Sequence, residues 1–427
     1  MFIGAVADDV TGATDLSLML SREGMRTIQI IGVPDTDIDL SGSDAVVIAL
    51  KSRTILPLEA IEMSLVSART LMAAGAEQIL FKYCSTFDST DDGNIGPVID
   101  ALLDLTGTPV TIACPSFPAA GRTVYKGHLF VGDRLLSESP LKDHPLTPMH
   151  DSDLVRVLQR QTRHPVGLIQ SEIIASGSEA IRLAIGTHHA EGKRMLIVDT
   201  LKDDDLRAIG QACDGMKLVT GGSGVAMGLP ENFKRAGKFT PQTPLTQMIA
   251  APGRSAILAG SCSAATRGQV EAARAAGLPT LQLDALAFAE GGQTAEQIAD
   301  WAINDTGHGI PLIYSSADPE ELAQIQTLIG RHKSGTLVEG ALADIAQRLQ
   351  HAGFTRFVVA GGETSGAVVA ALGVRALLIG PEIDPGVPWT RSVAGPDLTL
   401  ALKSGNFGSD DFFIKAWTML ETETADA

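Results

Sequence analysis

The stretch Arg356-Phe357-Val358-Val359-Ala360-Gly361-Gly362-Glu363-Thr364-Ser365-Gly366 joins an apolar run to a glycine-rich turn, and a helix-like segment, 367–372, follows directly. A strand that turns into a helix through glycines directs free backbone N–H groups and a positive dipole end at one point, which favours phosphate binding. Any α/β protein also needs such a turn, and without a lysine after the glycines it is not a Walker A loop. The stretch therefore predicts an α/β fold, with phosphate binding as a hypothesis.

Short apolar runs alternate with segments of helical periodicity along the rest of the chain. The runs 2–7, 45–50, 78–84 and 256–259 are typical of buried strands, and segments such as 58–73 repeat apolar residues at intervals of three and four. This alternation predicts two α/β domains with mainly parallel sheets.

The segment 238–253 interrupts the alternation, because it contains three prolines and has no apolar period. We interpret it as a linker between a first domain, 1–237, and a second domain, 254–427. Ligands of open α/β sheets collect at the carboxyl ends of strands, so the polar residues at those ends are the candidates for a site.

The composition excludes several classes of protein. The chain has 427 residues, of which 44% are hydrophobic, and a net charge of −17, which argues against nucleic acid or an anionic membrane as a partner. No apolar run approaches ~20 residues, and Asp8, Asp9 and Asp15 occupy the region where a signal peptide would be basic and then apolar, so we expect a cytoplasmic protein. The four cysteines are scattered and predict neither a disulfide framework nor a zinc site.

The predicted strand ends differ in chemistry between the two domains. Those of the first domain combine carboxylates, hydroxyls and cations, which suits a polyhydroxylated anion; they include Asp8, Asp9, Arg53, Lys82, Ser85 and Thr86. Those of the second domain are glycines and small hydroxyls, which suits capture of phosphate by backbone N–H groups; they lie in 260–263, 361–366 and 403–408.

The adjacent carboxylates Asp8 and Asp9 end the first predicted strand just before a helix. Helix capping explains one acidic residue there well and two poorly. A carboxylate at the mouth of a cleft can orient a substrate hydroxyl or accept its proton, and we favour that function for the pair.

The segments 7–15, 82–90, 361–366 and 403–408 resemble, in this order, the motifs of the four-carbon acid sugar kinases. The similarity spans nearly the whole chain. Within that family, 379–389 and 114–118 are most similar to segments of the 3-oxo-tetronate kinases. One departure is Val10, where relatives often have an aromatic residue, and it affects packing more than chemistry.

The resemblance implies a sugar-acid-binding first domain, a nucleotide-binding second domain and an active site in the interdomain cleft. It further implies ATP-dependent phosphorylation of the 4-hydroxyl of a 3-oxo-tetronate such as 3-dehydro-erythronate or 3-dehydro-threonate. Carried over position by position, the acid-side residues are Asp8, Asp9, Arg53 and Lys82, and the nucleotide-side residues are Ser261, Gly361, Gly362, Glu363, Thr364, Ser365 and Gly405.

On this basis we expect Arg53, Lys82, Ser85 and Thr86 to hold the carboxylate and 3-oxo group of the acid, and Asp9 or Asp8 to accept the proton. Mg²⁺ is expected to bridge the phosphates, with no metal site on the protein itself. The sugar acid and ATP are the expected partners, and the oligomeric state is left open, a homo-oligomer included. Two alternatives are a kinase for D-threonate or D-erythronate and a non-catalytic sugar-acid-binding protein.

Overall fold

A computed structural model describes residues 1–34, 38–144, 146–243, 245–317 and 319–421. The chain divides into two compact units, Met1–Thr243 and Pro244–Ala427. The boundary between the two units lies within the predicted linker, 238–253. The predicted domain limits, 1–237 and 254–427, stay predictions.

The first unit alternates strands with helices from its first residues. Its strands are β1 (Ile3–Ala7), β2 (Thr27–Ile31), β3 (Ala45–Ala49), β4 (Gln78–Lys82), β5 (Thr111–Cys114), β6 (Arg122–Tyr125), β7 (His128–Val131), β8 (Arg134–Leu135), β9 (Val166–Ile169), β10 (Met195–Val198) and β11 (Leu218–Gly221). Its helices are α1 (Val10–Arg22), α2 (Pro57–Ala73), α3 (Ile95–Thr106), α4 (Leu154–Gln159), α5 (Ser171–Ala175), α6 (Ser178–Ala190), α7 (Asp203–Ala212) and α8 (Pro230–Arg235).

The main sheet of this unit has the order β2-β3-β1-β4-β11-β5-β10-β9, and every adjacent pair is parallel. Strands β1 and β3 are buried at every residue, as expected for parallel strands covered on both faces. Helix α1 packs against β2 and β3, and α2 packs against β1 and β4. The short strands β6, β7 and β8 form a separate antiparallel sheet.

Four neighbouring strands of the main sheet end at the same level. The pairing places Ala7 of β1 beside Ala49 of β3 and Lys82 of β4, and Lys82 beside Gly221 of β11. The segments that follow these strands therefore meet at one edge of the sheet, which is where the sequence placed the acid-side residues.

The second unit has the same alternation with a different final part. Its strands are β12 (Met248–Ile249), β13 (Arg254–Ala259), β14 (Thr280–Gln282), β15 (Leu312–Tyr314), β16 (Phe354–Ala360), β17 (Ala376–Asp384), β18 (Val387–Ala394), β19 (Thr399–Lys403) and β20 (Leu420–Glu421). Its helices are α9 (Ala264–Ala275), α10 (Ala285–Ala289), α11 (Ala295–Asn304), α12 (Pro319–Ile329), α13 (Arg331–His351), α14 (Gly362–Ala371) and α15 (Phe412–Lys415).

The main sheet of the second unit has the order β14-β15-β13-β16-β19-β18-β17. The strands from β14 to β19 pair in parallel, whereas β18 is antiparallel to both of its neighbours. The prediction of an α/β fold with mainly parallel sheets is confirmed. None of the helices in the described part of the chain is long and apolar enough to cross a membrane.

Sequence periodicity missed several elements for identifiable reasons. Helix α6 buries only Ile181 and Ile185, so its apolar face is too narrow for a clear period. The strands β6 to β8 are at most 4 residues long, which leaves little room for alternation. Tertiary packing, rather than a local pattern, defines these elements.

A close approach of two backbones gives a test of this packing. A Cβ added at Gly210 in α7 would lie 2.5 Å from the Cα of Gly228. We expect Gly210→Ala to lower the free energy of unfolding by about 1–3 kcal/mol, because backbone must move. The matched control is Gly186→Ala in α6, where a Cβ meets nothing within 4 Å; it should raise stability by about 0.5–1 kcal/mol. Urea denaturation of both variants measures the difference, and equal midpoints would contradict the packing described.

Candidate functional site

An ion-paired cluster occupies the edge where β1 and β3 end. The guanidinium of Arg53 donates from Nε to Asp8 Oδ2 at 3.0 Å and from Nη2 to Asp8 Oδ1 at 2.7 Å. The same Nη2 donates to Asp9 Oδ1 at 2.5 Å. Burial lowers the pKa of Arg53, but the charges of Asp8 and Asp9 overcome this effect and hold the pKa well above its usual value. Arg53 therefore stays charged and ties the two carboxylates together.

Asp9 is also the N-cap of α1. Its Oδ2 accepts hydrogen bonds from the Thr11 hydroxyl at 2.7 Å and from the Gly12 N–H at 3.1 Å. Burial acts to raise the pKa of Asp9, but Arg53, Lys82 and these two donors together hold it far below its usual value. The carboxylate is therefore ionised and fixed in orientation. Asp9 is therefore both the N-cap of α1 and a member of the acidic pair that Arg53 holds.

Lys82, the last residue of β4, brings a second cation to the cluster. Its side chain is only 3% exposed, and a Cβ placed on Gly12 would lie 2.4 Å from Lys82 Nζ and 2.2 Å from Asp9 Oδ1. Only a glycine at position 12 lets the ammonium and the carboxylate approach the first turn of α1 together. In the described part of the chain, no side chain or carbonyl accepts a hydrogen bond from this ammonium.

The polar turn after β4 carries Ser85 and Thr86. Thr86 is buried and donates to Asp88 Oδ1 at 2.7 Å, and Asp88 Oδ2 lies 4.0 Å from Arg53 Nη1. Phe87 is fully buried with a φ of 53°, and its ring packs on Tyr83 with centroids 5.4 Å apart. The turn is therefore held rigidly beside Arg53, with Ser85 partly buried in it.

Asp15 is a further carboxylate of this cluster, to which the sequence analysis gave no role. It is 7% exposed, its Oδ2 accepts from the Ser223 hydroxyl, and its Oδ1 has no hydrogen-bond partner among the described residues. Burial raises the pKa of Asp15 to about 6, although Lys82 and Ser223 favour the ionised form. Its position one helical turn after Thr11 was the available signal, since residues i and i+4 share a helix face.

The structure thus brings together Asp8, Asp9, Arg53 and Lys82, with Thr86 linked to them through Asp88. Two cations, the carboxylates of Asp8, Asp9, Asp15 and Asp88, and several hydroxyls can bind a small anion that also carries hydroxyl groups. The thiol of Cys84 in the same turn does not compete as a nucleophile, because burial raises its pKa to about 12.

A second cluster lies in the second unit, where β13, β16 and β19 end level at Ala259, Ala360 and Lys403. The loops that follow these strands contain Ser261, the 361–365 turn and Gly405. A Cβ on Gly405 would lie 2.2 Å from Ser261 Oγ, and a Cβ on Gly361 would lie 3.4 Å from the Ser261 nitrogen. All three predicted nucleotide-side segments therefore meet at one edge.

The 361–365 turn begins helix α14 with a backbone that requires glycine. Gly361 has a φ of 123°, and no side chain caps the helix. The first N–H groups of α14 therefore donate no hydrogen bond to an N-cap side chain and carry the positive end of the helix dipole. Thr364 and Ser365 are buried within the turn, whereas Glu363 is exposed.

The loops are connected through the carbonyl oxygen of Gly405. It accepts from Ser263 Oγ at 2.6 Å, Thr266 Oγ1 at 2.9 Å and Lys403 Nζ at 3.1 Å. The sequence analysis included Ser263 and Lys403 among the strand ends suited to phosphate but gave Thr266 no role, because a contact between two distant loops has no signature in the spacing of residues. Among the described residues, no group of three His, Cys, Asp or Glu side chains could enclose a metal ion.

Comparisons with known proteins give a separate domain model for each of the two units. A sugar-binding N-terminal domain model matches residues 3–229, and a nucleotide-binding C-terminal domain model matches residues 256–413. The 3-oxo-tetronate kinase of Burkholderia multivorans is 52% identical over 419 residues, covering 98% of this chain and 97% of that protein. The 3-oxo-tetronate kinase of Pseudomonas fluorescens is 53% identical over 415 residues, covering 97% and 96%. The chain belongs to the 3-oxo-tetronate kinase family.

The predicted resemblance to the four-carbon acid sugar kinases is thereby confirmed. Two solved structures are similar to this chain in fold as well as in sequence. A crystal structure from Salmonella typhimurium matches with a TM-score of 0.85 and 42% identity, covering 97% of this chain and 98% of that one. One from Haemophilus influenzae matches with a TM-score of 0.78 and 40% identity, covering 97% and 99%.

The buried Asp15 predicts a pH dependence of stability for this member of the 3-oxo-tetronate kinase family. Its folded pKa of about 6 lies above the ordinary value of 3.8, so the folded state binds the extra proton and stability falls as pH rises from 4 to 6. The isosteric variant Asp15→Asn cannot titrate at this position, so it does not show this decrease in stability with pH. Its free energy of unfolding relative to wild type should increase by up to ~3 kcal/mol between pH 4 and pH 7.

Urea denaturation across this pH range measures the difference, with Asp133→Asn, which removes an exposed carboxylate of the same unit, as the control. A difference between Asp15→Asn and wild type that does not change with pH would refute the burial argument.

Proposed function

We propose that this protein transfers the γ-phosphoryl group of ATP to the 4-hydroxyl of a 3-oxo-tetronate, such as 3-dehydro-erythronate or 3-dehydro-threonate. The observation that carries this proposal is the identity of 52–53% with 3-oxo-tetronate kinases over nearly the whole chain. The two clusters support it physically. One offers cations and carboxylates to a sugar acid, and the other offers helix N–H groups to phosphates.

Lys82 is the proposed partner of the substrate carboxylate. Its ammonium is buried and has no acceptor for a hydrogen bond in the described part of the chain, so it can pair with an incoming anion without breaking an existing bond. The hydroxyl groups of Ser85 and Thr86 are proposed to contact the 3-oxo group. A neutral hydroxyl is a suitable donor to a carbonyl oxygen.

Arg53 has a more limited part than a free guanidinium would have. The Nε and Nη2 edge, which could hold a carboxylate with two hydrogen bonds, is already engaged by Asp8. Only Nη1 faces away from that pair, toward Asp88. We therefore propose that Arg53 fixes the acidic pair and contributes its charge, with one N–H edge left for the acid.

Asp9, with Asp8 beside it, is the proposed acceptor of the hydroxyl proton. The depressed pKa makes Asp9 a weak base at rest. Phosphoryl transfer passes through a loose transition state in which the hydroxyl needs orientation more than early deprotonation. A fixed, ionised carboxylate meets this requirement by accepting a hydrogen bond from the 4-hydroxyl and taking its proton late.

ATP is proposed to bind the second unit with its phosphates on the N–H groups of 361–365 and on the Ser261 loop, with Gly405 beside them. The uncapped N-terminus of α14 supports this placement. When bound, Mg²⁺ neutralises charge on the phosphates. Since the described residues include no carboxylate cage, we propose that phosphate oxygens and water hold the ion.

A substrate panel tests the proposed activity. Purified protein, ATP and Mg²⁺ are incubated with 3-dehydro-erythronate, 3-dehydro-threonate, D-erythronate and D-threonate, and ADP formation is measured. We expect turnover with the 3-oxo acids and a ³¹P NMR signal of a phosphate on carbon 4. Turnover confined to D-erythronate or D-threonate would instead identify a tetronate kinase, and no turnover with any acid would support a binding protein.

Asp9→Asn tests the assignment of the proton acceptor. The substitution preserves shape, so we expect kcat to fall by about 10²–10⁴-fold while the KM for ATP changes little. Asp133→Asn again serves as the control and should leave both constants unchanged. A kcat near the wild-type value in Asp9→Asn would assign the proton to another group.

A further inference from the structure

Lys403 is a fully buried lysine at the centre of the second cluster. Its ammonium donates to Thr266 Oγ1 at 3.1 Å, to the Ser404 carbonyl at 3.0 Å and to the Gly405 carbonyl at 3.1 Å. All three acceptors are neutral. The hydrogen-bonding capacity of the ammonium is therefore satisfied, but its charge is not compensated.

No carboxylate compensates this charge within the described part of the chain. The charged residues on the surrounding elements are Arg254 of β13, Arg356 of β16, Arg391 of β18, Arg267, Glu271 and Arg274 of α9, Glu363 of α14, and Asp410 and Asp411 beyond the loop. None of them forms an ion pair with Lys403 or contributes to its pKa, which burial alone lowers to about 7. A buried charge normally has an ionic partner, because desolvation without one is costly.

The surroundings of Lys403 add positive potential instead of removing it. Thr266 lies in the first turn of α9, whose N-cap is Ser263, and this end of a helix is itself positive. The carbonyl of Lys403 accepts the N–H of Gly361, the residue that precedes the uncapped N-terminus of α14. The ammonium thus contacts the first turn of α9, while the backbone of the same residue holds the start of α14.

The same side chain holds the loops in place. Its bond to the Gly405 carbonyl joins those from Ser263 and Thr266, so that loop 404–408 is fastened to the start of α9. Gly405 in turn packs against Ser261. A change in the charge or position of Lys403 would therefore reach every segment proposed to contact the nucleotide.

We propose that Lys403 is the internal counter-cation of the nucleotide phosphates, so that binding of a nucleoside di- or triphosphate is coupled to uptake of a proton by its side chain. This inference rests on the proposed binding of nucleotide by the second unit. Lys403 acts as a positioning residue, through the Gly405 carbonyl and through its charge.

The sign of the coupling follows from the charges. In the free protein a large fraction of Lys403 is neutral above pH 7. Bound phosphates favour the ammonium and raise its pKa, so between the free and bound pKa values each binding event takes up a proton. Affinity consequently decreases as pH rises through this range, by up to about tenfold per pH unit.

Isothermal titration calorimetry with ADP tests the coupling in the wild-type protein. At pH 8, the binding enthalpy in buffers of different ionisation enthalpy yields the number of protons exchanged, and we expect uptake approaching one proton per ADP. From pH 7.5 to 9 the Kd should rise toward about tenfold per unit. The terminal phosphate has a pKa near about 6, so the nucleotide keeps its charge over this range.

Three variants assign the proton to the side chain. Lys403→Met should weaken ADP binding by about tenfold or more at pH 7.5 and abolish proton uptake. Lys403→Arg keeps its charge throughout and should bind ADP without uptake. Lys333→Met removes an exposed lysine of the same unit and should behave as wild type.

The outcomes separate this inference from the proposed function. Tight binding of ADP by wild type with no proton uptake and a Kd independent of pH would overturn the role of Lys403 and leave nucleotide binding intact. Failure of wild type to bind ADP would overturn both. Because the wild-type titration needs no substitution, it decides the question even if Lys403→Met does not fold.

Discussion

Hydrogen-bonded register between parallel strands is the constraint on which both clusters depend. Buried parallel strands are mainly apolar, so the charged residues of both clusters lie where the strands end or just beyond. In the first unit β3, β1, β4 and β11 end level, and in the second unit β13, β16 and β19 do so. A change of pairing by one residue in β1, β4 or β19 would move Asp8, Lys82 or Lys403 out of its cluster.

The two clusters handle charge in opposite ways. In the first unit the cations Arg53 and Lys82 face the carboxylates of Asp8, Asp9 and Asp15, so opposite charges largely balance before a ligand arrives. Such a balance of charge suits a ligand that carries hydroxyl groups and a single negative charge. In the second unit the buried ammonium of Lys403 forms no ion pair with a carboxylate among the described residues, which suits a ligand with several negative charges.

The sequence was sufficient for the fold class, for most strands and for the segments that carry the site, because these depend on local periodicity and on the chemistry of strand ends. It could not show that Asp8 occupies the forked edge of Arg53, since residues 8 and 53 meet only through strand pairing. Asp15 and Lys403 were visible in motifs, but their importance follows from burial. Burial is a property of the folded chain, and no spacing rule encodes it.

The left-handed backbone of Phe87 has a consequence for how a ligand is received. A residue with a side chain costs about 1–3 kcal/mol in this conformation, and here the packing against Tyr83 offsets that cost during folding. The turn from 83 to 90 thus has one shape in advance and acts as a rigid template. A turn that is ordered before binding costs a ligand no free energy of loop ordering, but it cannot adapt to a molecule of the wrong shape.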